Sequence, residues 1–247
     1  MKSMKHRLVQ TLAIGLAIAS VGGAANAANL VTNGGFETLT NGLGQLGYNT
    51  DATGWSTNGY NFVFGGNSAD TVGSNGVYGG LKLWGPGNGQ ANGLGASPDG
   101  GNYVGADGAF QVAPISQTLT GLVAGKSYAV NFYWGGAQQF GFTGANTEQW
   151  EVKLGSAPSQ FTSVYHNTTG GFSGWFSEKF TFTAGGTTQV LSFLAHGTPD
   201  GVPPFSLLDG VSVQAAVPEA STWIMMIAGF GLVGVAARRR AQSAVAA

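Results

Sequence analysis

Between Ile115 and Gln214 the chain alternates apolar and polar residues with a period of two, in six separate runs. A side-chain set that repeats every second residue lines one face of a strand and cannot line one face of a helix. "SYAVNFYW" sets Tyr128, Val130, Phe132 and Trp134 against Ala129, Asn131 and Tyr133. "WEVKL" sets Trp150, Val152 and Leu154 against Glu151 and Lys153. "ISQTLTGL" with its turn "VAGK", then "FSEKFTFTA", "QVLSFLAHG" and "FSLLDGVSVQ", complete the set. Half-buried strands at this spacing predict an antiparallel β-sandwich.

Glycine supplies the punctuation. The chain holds 43 glycines in 247 residues, against an ordinary usage of ~7%. No strict triplet repeat is present, which excludes a collagen-like helix. Phe, Trp, Leu and Val are too frequent for a chain disordered throughout. From "NLVTNGGFET" at 29–38 and Gly54-Trp55 to about residue 108, the sequence predicts loops with short strands rather than helices. The fold class is therefore all-β with glycine-rich loops.

Both ends read as targeting segments. "MKSMKHRLVQTLAIGLAIASVGGAANA" has a basic start, an apolar stretch from Leu8 to Val21 and a small-residue exit at Ala25-Asn26-Ala27. That pattern predicts a signal peptide over 1–27, helical in its apolar part and cleaved after Ala27. The sandwich domain then spans 28–215. Between the two ends only Lys82, Lys126, Lys153 and Lys179 oppose ten acids, so the body stands near −6. No basic stripe exists, and nucleic acid is excluded as a partner. The absence of cysteine excludes disulfides and thiolate chemistry.

At the other end, Thr222 to Ala237 is a 16-residue run without charge. As a helix it covers roughly 24 Å, just short of a ~30 Å hydrocarbon core. Trp223 suits one interface, and Arg238, Arg239 and Arg240 hold the other end in the cytoplasm. A transmembrane helix is thus expected over 222–237, with residues 28–217 outside. "GFGLVG" within it matches G-x-G-x-x-G, but no strand precedes it and no acid follows, so a dinucleotide site is rejected. Gly229, Gly231 and Gly234 suit helix–helix contact instead.

Val217-Pro218-Glu219, Trp223, the apolar run and the arginine cluster together resemble a PEP-CTERM sorting signal. On that resemblance the signal spans 216–240, with its motif at 217–223, its helix at 222–237 and its basic cluster at 238–240. Ala220 stands where a second proline is usual, and "AQSAVAA" trails as a tail over 241–247. The resemblance implies recognition and cleavage by a membrane-embedded exosortase. The protein would be exported, held transiently in the inner membrane, and released to the cell surface or an exopolysaccharide matrix. An ordinary tail anchor is the alternative.

Within the last strand run, simple alternation puts Phe205, Leu207, Asp209, Val211 and Val213 on one face. An unpaired carboxylate among them is costly, so a cation, backbone donors or protonation must compensate it. An "NGGFE" opening and an "LLDGVSV" closing strand resemble galactose-binding-like jelly rolls, including several carbohydrate-binding modules. In that family an acid on the first strand and one on the last commonly share a structural calcium. The matching positions are Glu37 and Asp209, and calcium suits an oxygen-rich loop site. Without metal, the two acids would cap loops or accept backbone hydrogen bonds. Asp99 and Asp107 each precede glycine and read first as turn residues.

No motif calls for an enzyme or a required cofactor. His166 and His196 stand alone at strand ends, and no H-E-x-x-H, G-x-S-x-G or P-loop occurs. Glu148 and Glu151 invite comparison with a glycosidase pair, yet residues three apart on a strand face opposite sides. Five tryptophans and seven tyrosines in the body favour glycan contact instead. Trp84 and Tyr103, in loop-rich surroundings beside Asn88, Gln90 and Asn102, are the expected ligand platform. Two other functions remain: a lectin-like module with a defined sugar site, and a glycan hydrolase, which the residue inventory disfavours.

Overall fold

The computed structural model describes residues 28–73 and 75–216, together with Met225, 228–234 and Arg238 of the C-terminal segment. The expected signal peptide, most of the sorting motif and the 241–247 tail lie outside the described residues. Among the described residues eleven strands follow in chain order. They are β1 (Gly44–Gln45), β2 (Asn61–Phe64), β3 (Tyr103–Asp107), β4 (Ile115–Thr120), β5 (Ser127–Gln138) and β6 (Asn146–Leu154). After these come β7 (Gln160–Phe161), β8 (Tyr165–Asn167), β9 (Phe176–Thr183), β10 (Thr188–Thr198) and β11 (Pro204–Ala215). All six runs that alternate in sequence are strands.

The strands form two sheets, ordered β1-β2-β3-β11-β5-β9 and β4-β10-β6-β7, with β8 paired to β6. Every pairing between them is antiparallel. From β3 to β6 each successive strand changes sheet, and β9, β10 and β11 do so again. The resulting orders, β3-β11-β5-β9 facing β4-β10-β6-β7, are those of a jelly roll, with β1 and β2 extending one sheet.

The main core lies between the sheets. Val130, Phe132 and Trp134 of β5 meet Trp150, Val152 and Leu154 of β6 and Leu191 and Phe193 of β10. The Phe193 ring stands edge-on to Trp150 at 6.1 Å and to Phe132 at 5.1 Å. Trp150 Nε1 donates to Leu207 O at 2.9 Å, tying the two sheets together through a buried hydrogen bond. Each such buried ring contributes roughly 1.5–3 kcal/mol by leaving water.

A second core lies on the outer face of the six-stranded sheet. Phe62, Phe64, Tyr103, Ala137, Phe205 and Leu207 point away from the other sheet and are covered by Leu81, Leu83 and Leu94 of the glycine-rich loops. Strand β3 is therefore buried on both faces along its whole length, which erases alternation from its sequence.

A bulge corrects the expected face of β11. The register with β5 shifts between Asp209 and Ser212, where Gly210 takes φ +59°. One residue is inserted there, so the facing reverses. Leu208, Val211 and Val213 join the inter-sheet core, whereas Phe205 and Leu207 belong to the outer one. Asp209 does not share a face with Val211 and Val213, as plain alternation implies. It continues the outer row of Phe205 and Leu207.

Candidate functional site

The bulge brings Asp209 beneath two loops. The opening segment crosses β11 there: Leu30 N donates to Val213 O at 2.9 Å, and Val211 N to Gly34 O at 3.0 Å. The loop before β3 supplies Ser97, whose Oγ donates to Asp209 Oδ2, and Asp99. A Cβ built on Gly35 would stand 2.9 Å from Asp99 Oδ2, 3.7 Å from Asp209 Oδ1 and 3.9 Å from Glu37 Cγ. The structure thus gathers Glu37 and Asp209 around one glycine and adds Asp99. Asp209 is wholly buried, and its Oδ1 has no hydrogen-bond partner. Burial, reinforced by the charges of Asp99 and Glu37, pushes its carboxyl up to about 7, against the hydrogen bonds from Ser97 and the Gly210 N–H.

The remaining donors are partly engaged. Glu37 Oε1 accepts the Asn102 N–H at 2.6 Å, a loop-bracing bond of the metal-free kind. Among the described residues no three His, Cys, Asp or Glu side chains form a metal-holding group. A cation here would find the orphaned Asp209 oxygen and the Asp99 carboxylate, with other oxygens from the loops. A polar cleft of about 340 Å³, lined by Asp99, Asn131, Tyr133, Ser177 and Ser212, opens beside it.

The two expected platform aromatics separate. Tyr103 is fully buried, stacked on Phe64 at 5.3 Å with its hydroxyl donating to Ser68 O at 2.7 Å. It presents no face to a ligand. Trp84 is half-buried, edge-on to Phe140 at 4.7 Å, and its Nε1 donates to Phe142 O at 2.9 Å. It therefore braces the loop after β5 and leads to an aromatic group that sequence reading missed.

That group surrounds a cavity of about 260 Å³ beyond the ends of β3 and β5, lined by Tyr60, Asp107, Phe110, Gln139, Phe142 and Asp200, with Gly201 and Pro203. Phe110 and Phe142 are each 38% exposed, and Tyr78, beside Tyr60 and Phe110, is 65% exposed. Asp107 ends β3 rather than sitting in the turn, and its side chain caps the turn that follows: its Oδ1 accepts the N–H groups of Ala109 and Phe110 at 2.8 and 3.0 Å. Its Oδ2 is buried without a partner. Burial pushes its carboxyl up to about 6 despite those bonds, and the Asp200 charge adds to the rise.

The two glutamates face opposite sides, as strand geometry requires. Glu148 is wholly buried between the sheets, where burial pushes its carboxyl up to about 8. Glu151 lies outside, accepting from Ser159 Oγ at 2.5 Å and paired with His196 Nε2 at 2.8 Å. The Ser159 bond and then His196 hold its carboxyl below the usual range. Ser159 and His196 thus both bind the Glu151 carboxylate. His166 is exposed on β8.

Of the sorting residues, Arg238 is described, exposed and helical, as are 228–234 and Met225. Val217, Pro218, Glu219, Trp223, Arg239 and Arg240 lie outside the described residues. Among the described residues no helix is long and apolar enough to cross a membrane.

No curated protein matches the chain. Among solved structures it is similar to TmCBM61 in complex with β-1,4-galactotriose, at 17% identity over 77% of this chain and 100% of that one, TM-score 0.41. It is also similar to the CBM22-1 xylan-binding domain of Xyn10C from Paenibacillus barcinonensis, at 12% identity over 78% and 97%, TM-score 0.38. A third likeness is to the arabinose-bound MgGH51 α-L-arabinofuranosidase, at 13% identity over 78% and 27%, TM-score 0.39. The model of the PEP-CTERM protein-sorting motif matches residues 216–240. The chain therefore carries a PEP-CTERM sorting motif behind an antiparallel β-sandwich, and the motif marks it as an exported protein.

Proposed function

We propose that this protein is a non-catalytic component of the cell surface or of an exopolysaccharide matrix, delivered there on its C-terminal signal. The observation that carries this reading is the sorting motif over 216–240. In this reading the 222–237 helix is a temporary membrane handle, and exosortase severs it near Pro218-Glu219. The sandwich then touches glycans through the aromatic rim of Trp84, Phe140, Phe142, Phe110 and Tyr78. Sugar rings stack their C–H faces on aromatic side chains, and Gln139 and Asp200 offer hydroxyl partners at the rim. The cavity between Tyr60 and Phe142 favours a lectin-like module with one defined sugar site as the second reading.

A structural calcium between Glu37 and Asp209 belongs to the same proposal. It is supported by the unpartnered Asp209 Oδ1 and by the like charges of Asp99 and Glu37 beside it.

Mass spectrometry of the surface-released form, with glycan-array binding of the same material, tests the reading. Expected are an N-terminus at Ala28, a C-terminus near residue 218, and glycan binding that weakens in Trp84→Ala and Phe142→Ala. Recovery of the intact chain from the cytosol refutes the sorting claim. Binding indifferent to both variants refutes the rim.

A further inference from the structure

The cavity beyond the ends of β3 and β5 has a charge pattern that contact with neutral sugars leaves unexplained. Its walls are the rings of Tyr60, Phe110 and Phe142, its ionisable lining groups besides Tyr60 are Asp107 and Asp200, and among the described residues no Lys, Arg or His lines it. Asp107 is only 1% exposed, and its Oδ2 has no donor. Two carboxylates near three rings, without a counter-charge, form a cation-selective surface. Aromatic faces attract a weakly hydrated cation through their quadrupole, most strongly where water is excluded. A metal ion is a poor occupant, because calcium needs 6–8 oxygens and rings provide none.

We propose that this cavity binds an organic ammonium group, carried by an amino sugar or by a choline-type headgroup. About 260 Å³ suits one such group and excludes a longer oligomer from its interior. The ammonium lies against Phe110 and Phe142 and is held by the fields of Asp107 and Asp200. Where the carrier is an amino sugar, the inference rests on the glycan-contact reading and names its substrate class; where it is choline-like, it stands apart from it.

The titratable groups facing Asp107 are Asp200 and Tyr60, with Tyr78 beyond Tyr60. The unrelieved Asp107 carboxyl sits at about 6. A bound cation favours the ionised form, so affinity falls as pH drops through that value and binding draws the carboxyl downward.

Calorimetric titration of the mature protein with tetramethylammonium, choline and glucosamine tests this, set against their neutral counterparts 3,3-dimethylbutanol and glucose. The ammonium probes are expected to bind at least about tenfold more tightly than the neutral ones. Asp107→Asn keeps the Oδ1 acceptor for Ala109 and Phe110 and removes a buried acid whose carboxyl sits at about 6, so the melting temperature does not fall at pH 7, while ammonium affinity falls about tenfold. Phe142→Ala, on an exposed loop, lowers it several-fold. Preference for glucosamine over choline identifies the sugar source, and the reverse identifies the headgroup. Equal affinity for charged and neutral probes, no binding at all, or indifference to Asp107→Asn overturns the proposal. Glycan-array binding that persists in those cases leaves the broader reading intact. Ammonium binding with a blank array removes the glycan reading and keeps the site.

Discussion

Replacing Glu148 by glutamine should stabilise the protein, and by an amount that grows with pH. Glu148 is a carboxylic acid sealed between the sheets, with Oε2 unpartnered and Oε1 receiving only a long 3.5 Å contact from Asn167 Nδ2. Burial moves its carboxyl from 4.5 to about 8. For an acid with a raised folded-state value, the unfolded chain ionises first. Stability is therefore intact below about 4.5 and is lost progressively as pH climbs to about 8. At pH 7 the gap spans ~2.5 units, which at ~1.36 kcal/mol per unit is about 3 kcal/mol. Glutamine keeps the shape and the Oε1 acceptor and cannot ionise. In a domain of this size 1 kcal/mol moves the melting temperature by roughly 2–4 °C, so the expected rise is about 6–12 °C at pH 7 and near zero at pH 4. Asp107 and Asp209 also titrate in this window, at about 6 and about 7, but they are common to both proteins and cancel in the difference. Paired thermal melts from pH 4 to pH 9 measure it. A difference that is flat with pH, or a glutamine variant melting below the parent at pH 8, would refute the assignment of an unrelieved buried acid.

Chelation with EDTA should lower the melting temperature, and Asp209→Ala should abolish that sensitivity; an unchanged melt removes the calcium. Calcium stabilisation should also strengthen from pH 5 to pH 8, as the Asp209 carboxyl ionises through about 7. Gly210→Ala should cost about 1–3 kcal/mol, because φ +59° disfavours any Cβ and this one would meet Tyr133 Cδ2 at 2.8 Å and Asp99 Cβ at 3.1 Å. Urea unfolding measures it, and a loss below about 0.5 kcal/mol would show that the bulge can move aside.

The sandwich was legible where one face of a strand is buried and the other is wet. Runs such as Trp150, Val152 and Leu154 opposite Glu151 and Lys153 carry their own orientation. Strand β3 carries none, because Tyr103 and Val104 serve different cores and both are buried. For the same reason Tyr103, judged by its loop-like neighbours, looked available to a ligand. The bulge was hidden because Asp209-Gly210 fits plain alternation as readily as an inserted residue. Only the later burial of Leu208 with Val211 distinguishes them. Tyr60, Phe110 and Phe142 come from three separate segments, and nothing local links them. The available signal was the pair of phenylalanines in "QQFGF", too apolar for a loop tip unless they meet something.

One sheet with a core on each face also explains where two of the three orphaned acids, Asp107 and Asp209, stand. On the outer face of β11 the row runs Phe205, Leu207, Asp209, and Asp107 pairs with Phe205 across the ladder. The apolar cover over this face therefore ends in a carboxylate on either side. Each acid has one oxygen held locally, by Ser97 for Asp209 and by the Ala109 and Phe110 N–H groups for Asp107. Each keeps the other oxygen unpaired. Their neighbours differ in kind. Asp209 faces further carboxylates and oxygen-rich loops, which suit a hard metal ion; Asp107 faces rings, which suit a soft organic cation. If both inferences hold, EDTA should change the melt without changing ammonium affinity, and ammonium should bind equally well to Asp209→Ala. Coupling between the two responses would mean that one cation serves both acids, and the separation of the sites along β11 would then have been misread.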